Sequence, residues 1–287
     1  MDHLPYRLEM PAQRESCVVF SSPHSGSAYP EEFLRTSMLD ERSIRSSEDA
    51  FVDRLFAIAP SLGAPLLAAT APRAYVDLNR GADELDPAVV RGVRATGHNP
   101  RISSGLGVIP RVVANGREIY RGKIDHKTAQ ARLDHVWWPY HTALQGLLDG
   151  SRQAFGRAIL IDCHSMPHDA VRALPGTSGH KPQVVLGDRF GAACAPDHLE
   201  RIEAAFAGAG LRVARNVPFA GAYIAQRYGR PSRGQHVVQV EIDRALYMDE
   251  AEIRPGRDFE TFRGLLGGIV AEIVAIGRPA ALPLAAE

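Results

Sequence analysis

Short, nearly unbroken apolar runs alternate along this chain with longer stretches in which apolar positions recur at helical spacing. The runs Cys17-Val18-Val19-Phe20, Pro65-Leu66-Leu67-Ala68, Tyr75-Val76-Asp77-Leu78, Ile159-Leu160-Ile161, Val184-Val185-Leu186, Leu211-Arg212-Val213 and Val237-Val238-Gln239-Val240 read as strands. Most lack a polar face, as expected of strands covered on both sides. Between them, Phe51, Val52, Leu55, Phe56 and Ile58 predict a helix beginning near Glu48, with Ser46 and Ser47 as candidate caps. Further helices are expected over Thr128–Leu148, which Pro139 should bend or divide, over Pro196–Ala209 and over Phe259–Ile276. Residues 81–127 are rich in Gly, Pro and Arg and show no period, so they read as a long excursion over an active-site mouth. The tail 279–287 is expected to be loose. Alternating strands and helices, with no repeat and no linker, predict a layered α/β fold on a parallel or mixed sheet, with residues 1–287 forming a single domain.

Composition narrows the function. The chain has 287 residues, 45% of them hydrophobic, which suffices for a full core. Lys+Arg and Asp+Glu both number 33, so no global field favours nucleic acid or an anionic membrane. Cys17, Cys163 and Cys194 form no CxxC pair and are odd in number, which points to a reducing compartment. The N-terminus lacks a basic segment followed by an apolar one, and no run approaches ~18 apolar residues. A cytoplasmic protein, monomeric or a small homo-oligomer, is expected.

Polar clusters stand where the strands stop: Pro23-His24-Ser25-Gly26, Glu48-Asp49, Asp77-Leu78-Asn79-Arg80, Asp162-Cys163-His164-Ser165, and Glu241 with Asp243 and Arg244. In open α/β sheets chemistry gathers at such ends. Strand alternation sends Asp162 and His164 to one face and Cys163 to the other, which argues against a thiol nucleophile. His24 and His164 each follow an apolar strand, and Asp49 or Glu48 could complete a two-histidine, one-carboxylate site for one divalent metal ion such as Zn2+. Pro167 removes His168 from any helical ligand pair. Glu241 ends a buried strand, where burial would raise its pKa toward that of a general base; a salt bridge to Arg244 is the alternative. Arg73 and Arg80 bracket a short strand and suit a carboxylate or an oxyanion. Trp137, Trp138, Tyr140, His141 and Tyr223 fit a packed helix face as well as contact with substrate.

Seven motifs in order, Ser22-Pro23-His24-Ser25-Gly26, Glu48-Asp49-Ala50-Phe51-Val52-Asp53, Tyr75-Val76-Asp77-Leu78-Asn79-Arg80, Trp138-Pro139-Tyr140-His141, Asp162-Cys163-His164-Ser165-Met166-Pro167, Gly221-Ala222-Tyr223-Ile224 and Gln239-Val240-Glu241-Ile242, resemble the N-formylglutamate amidohydrolase family over about residues 16–250. The resemblance implies a three-layer phosphorylase/hydrolase-like α/β fold, related to zinc carboxypeptidases and aspartoacylases. It also implies cleavage of N-formyl-L-glutamate, a small acidic N-acyl amino acid, at the end of histidine degradation. Carried onto this sequence, it makes His24 and His164 zinc ligands and Glu241 the general base. Arg73 becomes the oxyanion-stabilising arginine, and Asn79, Arg80 and Tyr223 become substrate-binding. The related enzymes use His-x-x-Glu, but here Ser27 stands three residues after His24, so Asp49 takes the carboxylate position. Three alternatives share parts of this pattern: a hydrolase of another N-acyl amino acid or short acidic peptide, a two-metal ureohydrolase weakened by Met166, and a non-catalytic dicarboxylate-binding protein using Arg73, Arg80 and Arg111.

Overall fold

The computed structural model describes residues 4–94, 99–174 and 181–279; residues 280–287 of the tail expected to be loose lie outside this range. A seven-stranded sheet runs in the order β1-β3-β2-β4-β7-β5-β6. Its strands are β1 (Tyr6–Glu9), β2 (Val18–Ser22), β3 (Leu66–Ala69), β4 (Ala158–Met166), β5 (Val184–Gly187), β6 (Val213–Arg215) and β7 (Gln235–Asp243). The central strands β3, β2, β4 and β7 are parallel; β1 joins β3, and β5 joins β7, in the opposite sense. The sheet is therefore mixed, as the sequence led us to expect.

Both faces are covered, which explains the lack of polar alternation in the strands. Val18 and Phe20, Ile159, Ile161 and Cys163, and Val238, Val240 and Ile242 pack against the helices Pro196–Gly208 and Phe259–Ile276. Val19, Leu67, Leu160 and Val237 point the other way, beneath the helices Trp138–Phe155 and Tyr223–Tyr228. Each fully buried Leu, Ile, Val or Phe contributes about 1.5–3 kcal/mol. The sheet is thus the rigid frame from which any site at its edge is hung.

Two expectations need correction, and a third takes an unexpected form. Tyr75–Leu78 is not a strand: the amides of Tyr75 and Val76 turn back to the Pro72 carbonyl, and the Asp77 carboxylate accepts from the Asn79 amide. Val76 and Leu78 still reach the core, so the apolar pattern reported burial rather than pairing. No long helix starts near Glu48. The chain is extended at Glu48 and left-handed at Phe51 (φ 67°), and only Val52–Leu55 is helical; Ser46 and Ser47 cap nothing there. Pro139 does divide its helix, as expected: one α-helix covers His126–Arg132 and a second starts at Trp138. A widened π turn over Leu133–Trp137 joins them and accommodates the missing donor and the ring, and the second helix runs from Trp138 to Phe155.

Candidate active site

The ends of β2, β4 and β7 lie side by side, and their register places the polar residues. Asp162 pairs with Gln239 and His164 with Glu241 across the β4–β7 ladder, so all four share a face. Beyond β2 the chain turns at Pro23 and presents His24. A Cβ on Gly26 would overlap the Ala71 carbonyl, so glycine is required for this turn to pass so close to the loop after β3. Asp49 arrives from a separate segment, whose amide donates to the His24 carbonyl at 3.0 Å.

His24, Asp49 and His164 converge, with one donor atom from each within 4.8 Å of the others, and all three are buried. Asp49 Oδ2 lies 2.9 Å from His164 Nδ1 and 3.4 Å from His24 Nδ1, and the latter nitrogen has no hydrogen-bond partner. The far nitrogens are backed by acids. His24 Nε2 bonds Asp77 Oδ1 at 2.8 Å, and His164 Nε2 stands 3.1 Å from Asp162 Oδ2, at ion-pair distance but out of hydrogen-bond alignment. Arg244 donates to Asp49 Oδ1 at 3.0 Å, which leaves Oδ2 for the shared point. A buried imidazole nitrogen without a partner, two histidines backed by carboxylates and a steered aspartate form a donor set that fits a divalent metal ion. Glu48 is excluded from this set because it forms a bidentate pair with Arg45, both contacts 3.0 Å.

The electrostatics agree with a bound cation. Burial alone would lower the His164 pKa, but Asp162, Asp49 and Glu241 outweigh it and raise it well above the usual imidazole value. Burial would raise Asp49, but the hydrogen bond from His164 and the nearby His24 and Arg73 hold it well below the carboxylate range. Asp77 is held low in the same way, against burial, by His24, Arg73 and Arg80. Glu241 differs: burial pushes it up to about 7, where a carboxylate can both take and return a proton at neutral pH.

A cavity of about 540 Å³ opens over these groups, walled on its outer side by residues from Arg101 to Gly116 of the expected excursion. Asn79 and Arg80 stand between the two walls. Their loop is pinned from behind: Trp137 Nε1 donates to the Arg80 carbonyl (2.9 Å) and His141 Nε2 to the Leu78 carbonyl (3.0 Å). The packed-face reading of Trp137, Tyr140 and His141 therefore holds, while Trp138 is exposed; Trp137 and His141 place this loop, and the Tyr140 hydroxyl bonds Ser21 on β2 (2.7 Å). The Asn79 amide accepts from Ile224 N (2.8 Å) and donates to Gln239 Oε1 (3.3 Å), while Gln239 donates to Glu241 Oε1 (2.8 Å). Arg80 is fixed by the carbonyls of Leu106 (2.9 Å) and Asn79 (2.7 Å). Arg73 bonds Asp77 Oδ2 at 3.0 Å and keeps 23% of its side chain exposed on the cavity wall.

Two expected residues lie elsewhere. Tyr223 packs on Trp137 and His141 with ring centroids 5.8 and 5.5 Å away, and Gly221 and Ala222 line the cavity instead. Gly221 adopts φ 103°, which turns the chain away before the tyrosine. Arg111 is engaged by Asp86 (3.1 Å) outside the cavity lining. Arg244 pairs with Asp49, not with Glu241. Cys163 faces the opposite core, where burial raises its thiol pKa well above the ordinary value. The sequence reading missed Arg244 as the partner of Asp49, and Gln239 as the link between Asn79 and Glu241. Strand period already placed Gln239 on the face of Glu241, but nothing local marked Arg244.

The family model for N-formylglutamate amidohydrolase matches residues 16–248. The chain belongs to the N-formylglutamate amidohydrolase family. It is 31% identical over 267 residues to the N-formylglutamate deformylase of Pseudomonas aeruginosa, covering 91% of this chain and 94% of that protein. It is 29% identical over 238 residues to that of Pseudomonas putida, covering 82% and 83%. Among solved structures, the N-formylglutamate amidohydrolase of Ralstonia eutropha superposes with a TM-score of 0.89 at 33% identity, covering 96% of this chain and 99% of that one. An Agrobacterium tumefaciens gene product, at 18% identity and TM-score 0.63, shares the fold. Among the described residues of this family member, no helix is long and apolar enough to cross a membrane.

Proposed function

We propose that this protein hydrolyses N-formyl-L-glutamate to formate and L-glutamate, using one zinc ion held by His24, Asp49 and His164. The observation that carries the reading is the convergence of these three residues beside Glu241, at the floor of a cavity whose outer wall carries unneutralised arginine. A bound divalent ion supplies Lewis acidity and lowers the pKa of a water toward ~7. Glu241 accepts a proton from the attacking water, whose oxygen bonds the formyl carbon. As the C–N bond breaks, Glu241 returns the proton to the leaving α-amine, so atoms and charge balance. Its burial and its bond from Gln239 suit both halves of this transfer.

Arg73 is placed to donate to the oxyanion while Asp77 holds its other edge. Arg80 takes a substrate carboxylate, and Asn79 positions Gln239 and the chain at Ile224. Residues 1–287 act as one domain in this reading, with the 81–127 excursion forming the substrate-facing wall. We place the reaction in histidine degradation in the cytoplasm; three buried, unpaired cysteines accord with a reducing compartment.

The test is direct. Protein purified with its native metal should contain one zinc ion per chain and release formate from N-formyl-L-glutamate. Binding of glutamate without formate release would replace the hydrolase by a dicarboxylate-binding protein. Two ions per chain would favour a ureohydrolase.

A further inference from the structure

Four arginines line the cavity: Arg73, Arg80, Arg101 and Arg244. Two are neutralised by the floor, Arg73 by Asp77 and Asp49 and Arg244 by Asp49. The other two are not. Arg80 is held only by backbone carbonyls, and among the described residues no carboxylate lies within ion-pair distance of it or of Arg101. The Arg101 side chain makes no hydrogen bond to any described residue; only its backbone is engaged, the amide by the capping Asn99 and the carbonyl by Leu106. Burial lowers the Arg80 pKa against the opposing pull of Asp77, and the charges of Arg73 and Arg101 lower it further, which places Arg101 within electrostatic reach.

The spacing of these two cations is set by one residue. Leu106 donates its amide to the Arg101 carbonyl (2.8 Å) and accepts Arg80 Nε on its own carbonyl (2.9 Å). Arg80 is buried and Arg101 is exposed at the rim, so the pair runs from the depth of the cavity to its mouth. Two like charges held together without counter-charges repel one another, and a ligand bearing two negative charges relieves that repulsion.

We propose that Arg101 is the specificity-determining residue for a second carboxylate: Arg80 holds the α-carboxylate beside the scissile amide, and Arg101 holds the side-chain carboxylate at the mouth. This rests on the hydrolase reading above and adds to it the reason for preferring a dicarboxylic N-acyl amino acid. Arg111, the sequence-level candidate for such a role, is already spent on Asp86.

The experiment compares N-formyl-L-glutamate with its neutral isostere N-formyl-L-glutamine on wild type, Arg101→Gln and Arg101→Lys, with thermal melts to verify folding. Losing one charge-assisted pair should lower kcat/KM for the glutamate substrate by about 10- to 100-fold, mainly through KM. The glutamine substrate should be almost unaffected, and Arg101→Lys should recover part of the loss. Calorimetry with glutarate and butyrate reads the same site without turnover: wild type should favour glutarate, and Arg101→Gln should lose that preference. An unchanged ratio between the substrates, or an equal fall for both, would overturn the proposal. A wild type that releases no formate would sink the hydrolase reading alone, and the glutarate comparison would still decide the role of Arg101.

Discussion

The floor and the outer wall of the cavity are built on opposite plans. On the floor, His24, His164 and Glu241 hang from adjacent strands, Asp49 is tethered to the His24 backbone, and every arginine meets an acid. On the outer wall, Arg80 belongs to a loop and Arg101 to the short helix Pro100–Ser103; both are held through backbone groups and neither has an ion-pair partner among the described residues. A balanced cluster is complete in itself, and in the proposed function it takes up one divalent ion. An unbalanced one is completed by a ligand. In the proposed function, reaction and selectivity thus fall to different parts of the chain, one fixed by sheet register and the other by the geometry of the segments around the cavity.

Changes on the floor should therefore abolish chemistry, and changes on the wall should alter preference. The largest effect is expected for His164→Ala, which should lose the metal and all hydrolysis. It also strands the buried Asp162, a loss of about 3–5 kcal/mol by the usual cost of an orphaned charge. Metal analysis and a thermal melt check both; full zinc occupancy would remove His164 from the ligand set. Glu241→Gln keeps the acceptor for Gln239 and should retain fold and metal while turnover falls by about 10²–10⁴. Substantial residual activity would reject Glu241 as base. Arg73→Ala should cost about 10²–10³ in kcat with metal retained, and an unchanged rate would take Arg73 out of the mechanism. The Arg101 variants follow, with their effect confined to the acidic substrate.

The smallest effect concerns the joint between the two plans. His141 holds the Leu78 carbonyl and accepts from the Tyr228 hydroxyl, and burial lowers its pKa to about 3. The unfolded chain protonates this histidine near 6.5 while the folded chain does not. Stability is therefore fully present above about pH 6.5 and is lost as the pH falls toward about 3, by up to about 1.4 kcal/mol per pH unit for this one proton. Denaturant melts between pH 7 and pH 4 should show a shallower pH slope in His141→Gln than in wild type. Equal slopes would mean that His141 is not held neutral.

The floor was legible in the sequence and most of the wall was not. Apolar runs that end on Asp162-Cys163-His164 and on Gln239-Val240-Glu241 declare both burial and facing, because a strand repeats every two residues. Loops have no such period. Tyr75–Leu78 looked like a strand because Val76 and Leu78 are buried, yet Asp77 and Pro72 turn it into the bend that delivers Asn79 and Arg80. Tyr223 was expected in the site through its motif, whereas the left-handed Gly221 sends it behind the wall. Choosing between Arg101 and Arg111 required knowing that Asp86 reaches only the second. The pairing of Arg244 with Asp49 spans 195 positions, and no local pattern reports a contact at that separation.

The adjacency of His164 and Glu241 is written in main-chain hydrogen bonds, not in side-chain contacts. Shifting β7 by a single step against β4 would bring Val240 or Ile242 opposite the histidine and bury the acid among the apolar residues of the other layer. A longer loop elsewhere around the cavity would leave this pairing intact. Within the two central strands, by contrast, only insertions of even length would keep the acid on its side of the sheet.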